Sequence, residues 1–397
     1  MQLIPARTKR DVLGEEVEIP SAILLGDVAY PQLFSQGTPP SFRAYYLLSK
    51  ASLPSPTLTS EHKSITVRPS LFQMTKGAFQ ESLKQVWDGL KKPQPLTLLR
   101  SNTQLECSDI EAHECFNGMT RVDRFCQKVF SVQPTGEDIG HLMRVEIHDP
   151  YAFNGACWSP MDKSVHCGDH DPLRFNSIAS NPDIIAHEFG HAVTYYSSNL
   201  DYVRQSGAIN ESLSDIFAIM VKHRQAKVSA DAPMASWSIA ENFLSIEGRN
   251  FPLRSMSNPG SAFRAHPLLG DDDQIRHMRD YQEDYPLEKD HGGVHKYAGV
   301  GNYAFYLAAT KLGGPSWKIA GKIWRCALVR SQRAPTFSDF ATETLKAVED
   351  ISFKIPKEPI YQAVAQAWRD VGVTFRERGV GTMLLEGTPP LQDSSCC

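Results

Sequence analysis

The spacing of apolar residues divides the chain into a strand-like first part and a helical second part. Residues 143–148 alternate apolar and polar side chains, which is the pattern of a half-buried strand. After residue 180 the period lengthens, and over residues 208–223 the apolar side chains recur at helical spacing. The pattern predicts an α+β fold of two lobes, the N-terminal lobe β-rich and the C-terminal lobe α-helical.

Capping residues set the ends of the predicted helices. Asn181 and Pro182 supply an N-cap and a first-turn proline for a helix that runs to about residue 198. The glycines and the proline of residues 313–315 end another helix, which begins at His295. The pattern also predicts helices over residues 77–90, 109–130, 208–223, 317–331, 338–351 and 361–371.

The length of the chain supports more than one folding unit. It has 397 residues, whereas single cores stop growing at roughly 250–300 residues. Both ends lack periodicity, and prolines interrupt the first sixty or so residues. The expected segments are an N-terminal extension (1–60), a β-rich lobe (61–181), a helical lobe (182–373) and a C-terminal tail (374–397).

Composition and charge exclude several classes of protein. With 41% hydrophobic and 22% charged residues, the chain can form an ordinary globular core. The net charge of −4 gives no general attraction to nucleic acid. No run of apolar residues is long enough for a transmembrane span, and the N-terminus does not have the form of a signal peptide. We therefore expect a cytoplasmic protein, or one exported by a leaderless route.

The eight cysteines form no CxxC pair, so reduced thiols are expected. The terminal Cys396 and Cys397 resemble the prenylated end of Rab-type small GTPases, and a lipid there would anchor the chain to a membrane. The alternative, a frayed tail with free thiols, is favoured because no phosphate-binding GxxxxGK[ST] loop occurs.

His187 and His191 lie four residues apart in an HEFGH sequence within the helix that begins at Pro182. Residues at this spacing share one helix face, so both imidazoles can reach one metal ion. Glu188 lies about 100° around the helix from His187, where a carboxylate can take a proton from metal-bound water. Alone, the motif fits either a metal site or a solvated polar helix face. A third ligand nearby would favour the metal site.

Glu211 and Asp215 supply a second pair at the same spacing, in the next helix. Glu211 can ligate a metal while Asp215 holds the other ring nitrogen of a ligating imidazole, which we assign to His187. Taken alone, Glu211 is an ordinary carboxylate near a helix start. With HEFGH one helix upstream, it is the expected third ligand of a zinc ion.

Four motifs, in this order, resemble those of the thermolysin family of zinc metallopeptidases, the gluzincins. They are HEFGH (187–191), GAINESLSDIFA (207–218), LRSMSNP (253–259) and DHGGVHKYAGVGNYAFYLA (290–308). The resemblance implies a zinc endopeptidase of two lobes, with the HEFGH helix at the floor of the cleft between them. The implied zinc ligands are His187, His191 and Glu211. Glu188 is the implied general base for zinc-bound water, and Asn210 and Asp215 are expected to support the ligands.

The resemblance implies further roles outside the two ligand helices. His295 and Tyr202 match the groups that stabilise the oxyanion of the tetrahedral intermediate, where each donor contributes roughly 3–4 kcal/mol. Asp290 matches the carboxylate that orients His295. Arg254 matches the guanidinium that binds the substrate carbonyl on the leaving side.

The substrate-binding residues are also implied by the resemblance. The pocket for the residue after the cleaved bond, expected to favour bulky apolar side chains, is formed by Ile184, Ile239, Phe243 and Leu253. These four residues also suit an ordinary core. Ala156 lies in the expected substrate-binding edge strand. There Asn154 stands one place early, so the backbone contacts of this strand with a substrate are left open.

The chain departs from the family at its calcium sites. Asp183 and Glu241 remain from the carboxylates that hold a double calcium site, and Lys222 stands at another of these positions. Phe251 replaces an acidic ligand of a further calcium loop. An ammonium group facing two carboxylates replaces the metal charge, so calcium is not expected to be required.

The sequence allows more than one interpretation of the N-terminal segment and of the activity. In length, residues 1–60 resemble the short propeptide of the leaderless protealysin-like branch, and a propeptide here is a hypothesis. The main alternative function is a catalytically latent or inactive binding protein of the same fold. A zinc exopeptidase is a third, but no site for a substrate amine can be identified.

Overall fold

The computed structural model describes residues 109–130, 143–149, 152–161 and 163–377, and the backbone of four short strands before them. These strands are β1 (Thr8–Arg10), β2 (Glu16–Glu18), β3 (Lys63–Val67) and β4 (Thr97–Ser101). β1 and β2 pair antiparallel. The helix predicted over residues 77–90 and the terminal Cys396 and Cys397 lie outside the described residues.

A five-stranded sheet forms the N-terminal lobe. It adds β5 (Met143–Ile147), β6 (Ala156–Ser159) and β7 (Ser164–Cys167), and its strand order is β4-β3-β5-β7-β6. β3, β5 and β7 run parallel, while β4 and β6 form antiparallel edges. The prediction that residues 143–148 form a half-buried strand is wrong on burial. β5 lies in the centre of the sheet, and all of its residues except Arg144 are buried.

Helix α1 (Ile110–Phe125) confirms the helix predicted from residue 109. The Asp109 side chain caps it by accepting from the Ala112 amide at 3.0 Å. Its last part widens into a π-helical turn, Cys126–Phe130.

The C-terminal lobe is helical, as predicted. Its helices are α2 (Pro182–Ser197), α3 (Arg204–Ala226), α4 (Asp290–Leu312), α5 (Ala320–Arg330), α6 (Phe337–Asp350) and α7 (Lys357–Asp370). Two short antiparallel pairs lie between α3 and α4: β8 (Ser238–Ile239) with β11 (Arg254–Ser255), and β9 (Leu244–Ile246) with β10 (Arg249–Phe251). One expected detail is wrong: the Asn181 amide donates to the Ser177 carbonyl at 3.0 Å and does not cap α2.

Close packing of helices α2 and α3 fixes the centre of the molecule. A Cβ atom at Gly190 would lie 2.7 Å from the Cα of Ser214, so the two helices approach more closely than side chains would allow. The buried apolar residues form one continuous cluster from Ala112 to Val373. None of the helices among the described residues combines the length and the apolar composition that crossing a membrane requires.

A left-handed turn opens helix α4. Asp290, His291, Gly292 and Gly293 have φ values of 52°, 49°, 84° and 89°. A side chain at Gly293 would collide with the ring of Tyr297. Right-handed winding therefore starts after Gly293, and the turn folds Asp290 back towards the helix it precedes.

Candidate metal centre and active site

Helix α2 presents two imidazoles to one point. His187 and His191 are 5% and 4% exposed, and their Nε2 atoms lie 3.0 Å apart. The helix is buried along most of its length because it packs between α1, α3 and β6. The two rings therefore face a protected space and not solvent.

Glu211, on helix α3, completes the set. Its carboxylate oxygens lie 3.4 Å from Nε2 of His187 and 3.4 Å from Nε2 of His191. Zinc bonds of 2.0–2.1 Å at tetrahedral angles place ligand atoms about 3.3 Å apart. Glu211 is 1% exposed, and its Oε2 accepts no hydrogen bond from any described residue. The three groups predicted as ligands are thus brought together at the spacing that zinc requires, with a buried oxygen available for it.

Each imidazole is held through its other nitrogen. Nδ1 of His187 lies 2.8 Å from Asp215 Oδ1, and Nδ1 of His191 lies 2.9 Å from Asn210 Oδ1. Ser214 Oγ, which the sequence analysis did not single out, lies 3.0 Å from the same nitrogen of His191. With a proton on Nδ1, the lone pair of Nε2 is free for a metal.

Asp215 is the centre of a buried hydrogen-bond network. Arg254 donates to it from Nε and Nη2, both at 2.9 Å, and Asn302 donates from Nδ2 at 2.8 Å. Burial raises the pKa of Asp215, but Arg254 and His187 outweigh burial and lower it to about 2. Asn302, in the middle of α4, lies within the 290–308 motif, but no role was predicted for it.

Glu188 connects the helical lobe to the sheet. It is 3% exposed, and its Oε2 accepts a hydrogen bond from the Trp158 amide at 2.9 Å. Burial raises the pKa of Glu188 to about 7. Ala156, predicted as a substrate-binding residue of this edge strand β6, is also buried. Asn154 lies before β6 and accepts from the Asp171 amide at 2.6 Å.

The predicted oxyanion-stabilising groups lie around Glu211. His295 Nε2 is 3.3 Å from Glu211 Oε2, and its Nδ1 is 2.5 Å from Asp290 Oδ1. The Tyr202 hydroxyl donates to Glu211 Oε1. His291, not singled out from the sequence, places its ring centroid 5.4 Å from that of Tyr202. The left-handed turn thus brings two residues, Asp290 and His291, to the site.

A small, partly open cavity lies beside the ligand set. It is lined by Ile184, His187, Glu188, Ile239, Leu253, Arg254 and His295. Phe243, predicted for the specificity pocket, is not among these residues. It is fully buried and packs against Phe175, with ring centroids 5.4 Å apart, so it belongs to the core.

Lys222 occupies the position between the remaining calcium-site carboxylates. Its Nζ lies 2.8 Å from Asp183 Oδ2 and 2.6 Å from Glu241 Oε1, and it donates to the Ser238 carbonyl at 2.8 Å. One ammonium group thus bridges α2 and the segment that precedes β9.

Two family models match the chain in sequence. The catalytic domain of thermolysin metallopeptidases matches residues 100–195, and their α-helical domain matches residues 198–373. Among similar proteins, Protease PrtS of Photorhabdus sp. (strain Az29) is 34% identical over 285 residues, which are 71% of this chain and 74% of the relative. An extracellular metalloprotease of Pectobacterium carotovorum subsp. carotovorum is 34% identical over 283 residues, 71% of this chain and 78% of the relative.

A solved structure agrees with these matches. The precursor of protealysin, a metalloproteinase from Serratia proteamaculans, superimposes with a TM-score of 0.65 and 30% sequence identity, covering 85% of this chain and 98% of that one. Together with the family models, the likeness shows the fold and the class of activity. The chain belongs to the thermolysin family of metallopeptidases and is a zinc metalloendopeptidase.

Proposed function

We propose that this endopeptidase cleaves peptide bonds on the N-terminal side of bulky apolar residues, with Glu188 as general base. One observation carries the proposal: the cavity that adjoins the ligand set is lined by both Glu188 and the apolar side chains of Ile184, Ile239 and Leu253. A substrate side chain in this cavity would place its own amide bond beside the base.

The ligand set and the base have separate tasks. His187, His191 and Glu211 would hold zinc, which when bound would supply Lewis acidity and lower the pKa of a water to about 7. Glu188 takes a proton from the attacking water and passes it to the leaving amine. Its hydrogen bond from the Trp158 amide fixes the carboxylate orientation, and burial raises its pKa, which favours a group that both takes up and releases a proton.

Two hydrogen-bond donors would stabilise the negative charge that develops on the substrate oxygen. His295 and Tyr202 are proposed to donate to the substrate oxygen, since both reach the same carboxylate of Glu211. Asp290 lies against Nδ1 of His295, so donation from Nε2 requires the protonated ring. Burial lowers the pKa of His295 to about 3, and the negative charge that develops on the substrate oxygen would favour its protonation. Arg254, which lines the cavity, is proposed to bind the substrate carbonyl on the leaving side.

Substitution of Leu253 tests the specificity proposal. Leu253→Asp places a carboxylate in the apolar cavity, and we expect it to abolish the preference for Leu, Ile, Phe or Val after the cleaved bond. Cleavage-site profiling with a peptide library measures the change. Leu173→Asp is the matched control, because Leu173 is 79% exposed and lies outside the cavity. The same cleavage profile for Leu253→Asp as for this control would refute the pocket.

The Lys222 bridge supports the proposal that calcium is not required. A calcium-selective chelator is expected to leave the melting temperature unchanged, because Lys222 already pairs with Asp183 and Glu241. Lys222→Ala leaves two facing carboxylates and should lower the melting temperature by roughly 2–6 °C. Added calcium should then restore part of the loss in the variant. A large destabilisation of the unsubstituted chain by the chelator contradicts the proposal.

The likeness to a precursor supports a propeptide over residues 1–60. We propose it because the matched peptidase regions begin at residue 100 and the apolar periodicity is absent before residue 60. Release of this segment would then precede full activity.

A further inference from the structure

We infer that Asn302 is a positioning residue of the metal centre, acting through the carboxylate of Asp215. The inference rests on the proposed role of His187 as a zinc ligand. Asn302 touches neither the ligand set nor the cavity. It contributes from helix α4, whereas the ligands and Asp215 lie on α2 and α3.

The hydrogen bonds of Asp215 divide evenly between its two oxygens. Oδ1 accepts from His187 Nδ1 at 2.8 Å and from Arg254 Nη2 at 2.9 Å. Oδ2 accepts from Arg254 Nε at 2.9 Å and from Asn302 Nδ2 at 2.8 Å. A carboxylate has about four lone-pair sites, so this set saturates it, and Asn302 fills the last position.

The four hydrogen bonds restrain rotation of the Asp215 carboxylate, which is otherwise only weakly restrained. Rotation of a carboxylate about the Cβ–Cγ bond of Asp has broad, two-fold minima. When Asn302 is removed, Oδ2 keeps one donor, Arg254 Nε, and the carboxylate is then restrained by Arg254 and His187 alone. Rotation would move Oδ1 off the axis of the His187 ring, and with it the direction of the Nε2 lone pair.

The role of Asn302 is to donate a hydrogen bond and not to fill space in the core. It is fully buried, and its Oδ1 has no hydrogen-bond partner among the described residues. A leucine of similar size would avoid that unsatisfied acceptor. The nitrogen of the Asn302 amide faces Asp215, because an ionised carboxylate can only accept a hydrogen bond.

The packing beside Asn302 sets its distance from Asp215. A Cβ atom at Gly301 would collide with the side chain of Ser212, so α4 and α3 are in close contact one residue from Asn302. This contact allows a short amide side chain to reach the carboxylate.

Zinc affinity, measured by competition with a chromogenic chelator on the zinc-loaded full chain, tests the inference without relying on hydrolysis. Asn302→Leu should weaken zinc binding by about 5- to 10-fold, at or below the lower end of the range for direct partners of metal-ligating histidines, because Asn302 acts through Asp215. Thr310→Val removes a hydroxyl from the same helix, where it donates to the Tyr306 carbonyl at 2.7 Å. This control should bind zinc as tightly as the unsubstituted chain.

A double substitution separates positioning from a general effect on packing. In an Asp215→Ala background, Asn302→Leu should cause no further loss of zinc affinity, because its target is gone. Equal losses in both backgrounds, or affinity within twofold of the unsubstituted chain, would overturn the inference. If Asn302→Leu fails to fold, Asn302→Ala is read by the same criteria. Failure of the unsubstituted chain to bind zinc would instead contradict the ligand assignment.

Discussion

Glu188→Gln is expected to lower the rate of casein hydrolysis by about 10³-fold, within the usual range for loss of a general base. The amide keeps the size of the side chain and can still accept from the Trp158 amide, but it cannot take a proton from water. The zinc content of the variant should stay at that of the unsubstituted chain, because Glu188 is not one of the three ligands.

The control for this substitution is Glu343→Gln. Glu343 lies on α6 and pairs with Lys346, away from the site. It should leave hydrolysis and zinc content unchanged. Full activity of a zinc-loaded Glu188→Gln enzyme would rule out Glu188 as the base. An inactive but zinc-loaded unsubstituted chain, with residues 1–60 removed, would contradict the proposed mechanism as a whole.

Glu211→Gln is expected to weaken zinc binding by at least about 100-fold, because a ligating carboxylate is replaced by a neutral amide. Hydrolysis should fall in proportion to the zinc lost. Equilibrium dialysis followed by metal analysis measures the affinity.

A second measurement on this variant distinguishes ligation from folding. The metal-free Glu211→Gln chain should still unfold cooperatively, but at a lower melting temperature than the metal-free unsubstituted chain. Burial raises the pKa of Glu211, but His295, His191 and His187 outweigh burial and hold it well below its usual range, so the substitution removes a stabilised charge. Glu349→Gln, at an exposed position, is the control for both measurements. Unchanged zinc affinity in Glu211→Gln would require a different third ligand.

The sequence predicted those parts of the site that depend on local spacing. His187 with His191, and Glu211 with Asp215, share a helix face at four-residue spacing, and the structure places all four at one point. The helical lobe was predictable for the same reason, since apolar periodicity reports which side of a helix is buried.

Contacts between elements could not be predicted in this way. Asn302 and Ser214 reach the site because helices α2, α3 and α4 pack closely, and the Trp158 amide reaches Glu188 because β6 is an edge strand beside α2. The burial of β5 on both faces follows from its central place in the sheet. Phe243 shows the opposite difficulty, because an apolar side chain serves a pocket or a core equally well by sequence.

The hydrogen bond from the Trp158 amide to Glu188 shows that both lobes contribute groups to the proposed active site. All three proposed metal ligands come from helices α2 and α3, whereas the amide that orients the proposed base comes from the sheet. A small separation of β6 from α2 would release Glu188 and leave the ligand set intact. The orientation of the proposed base would therefore depend on the contact between the two lobes, whereas the arrangement of the proposed ligands would not.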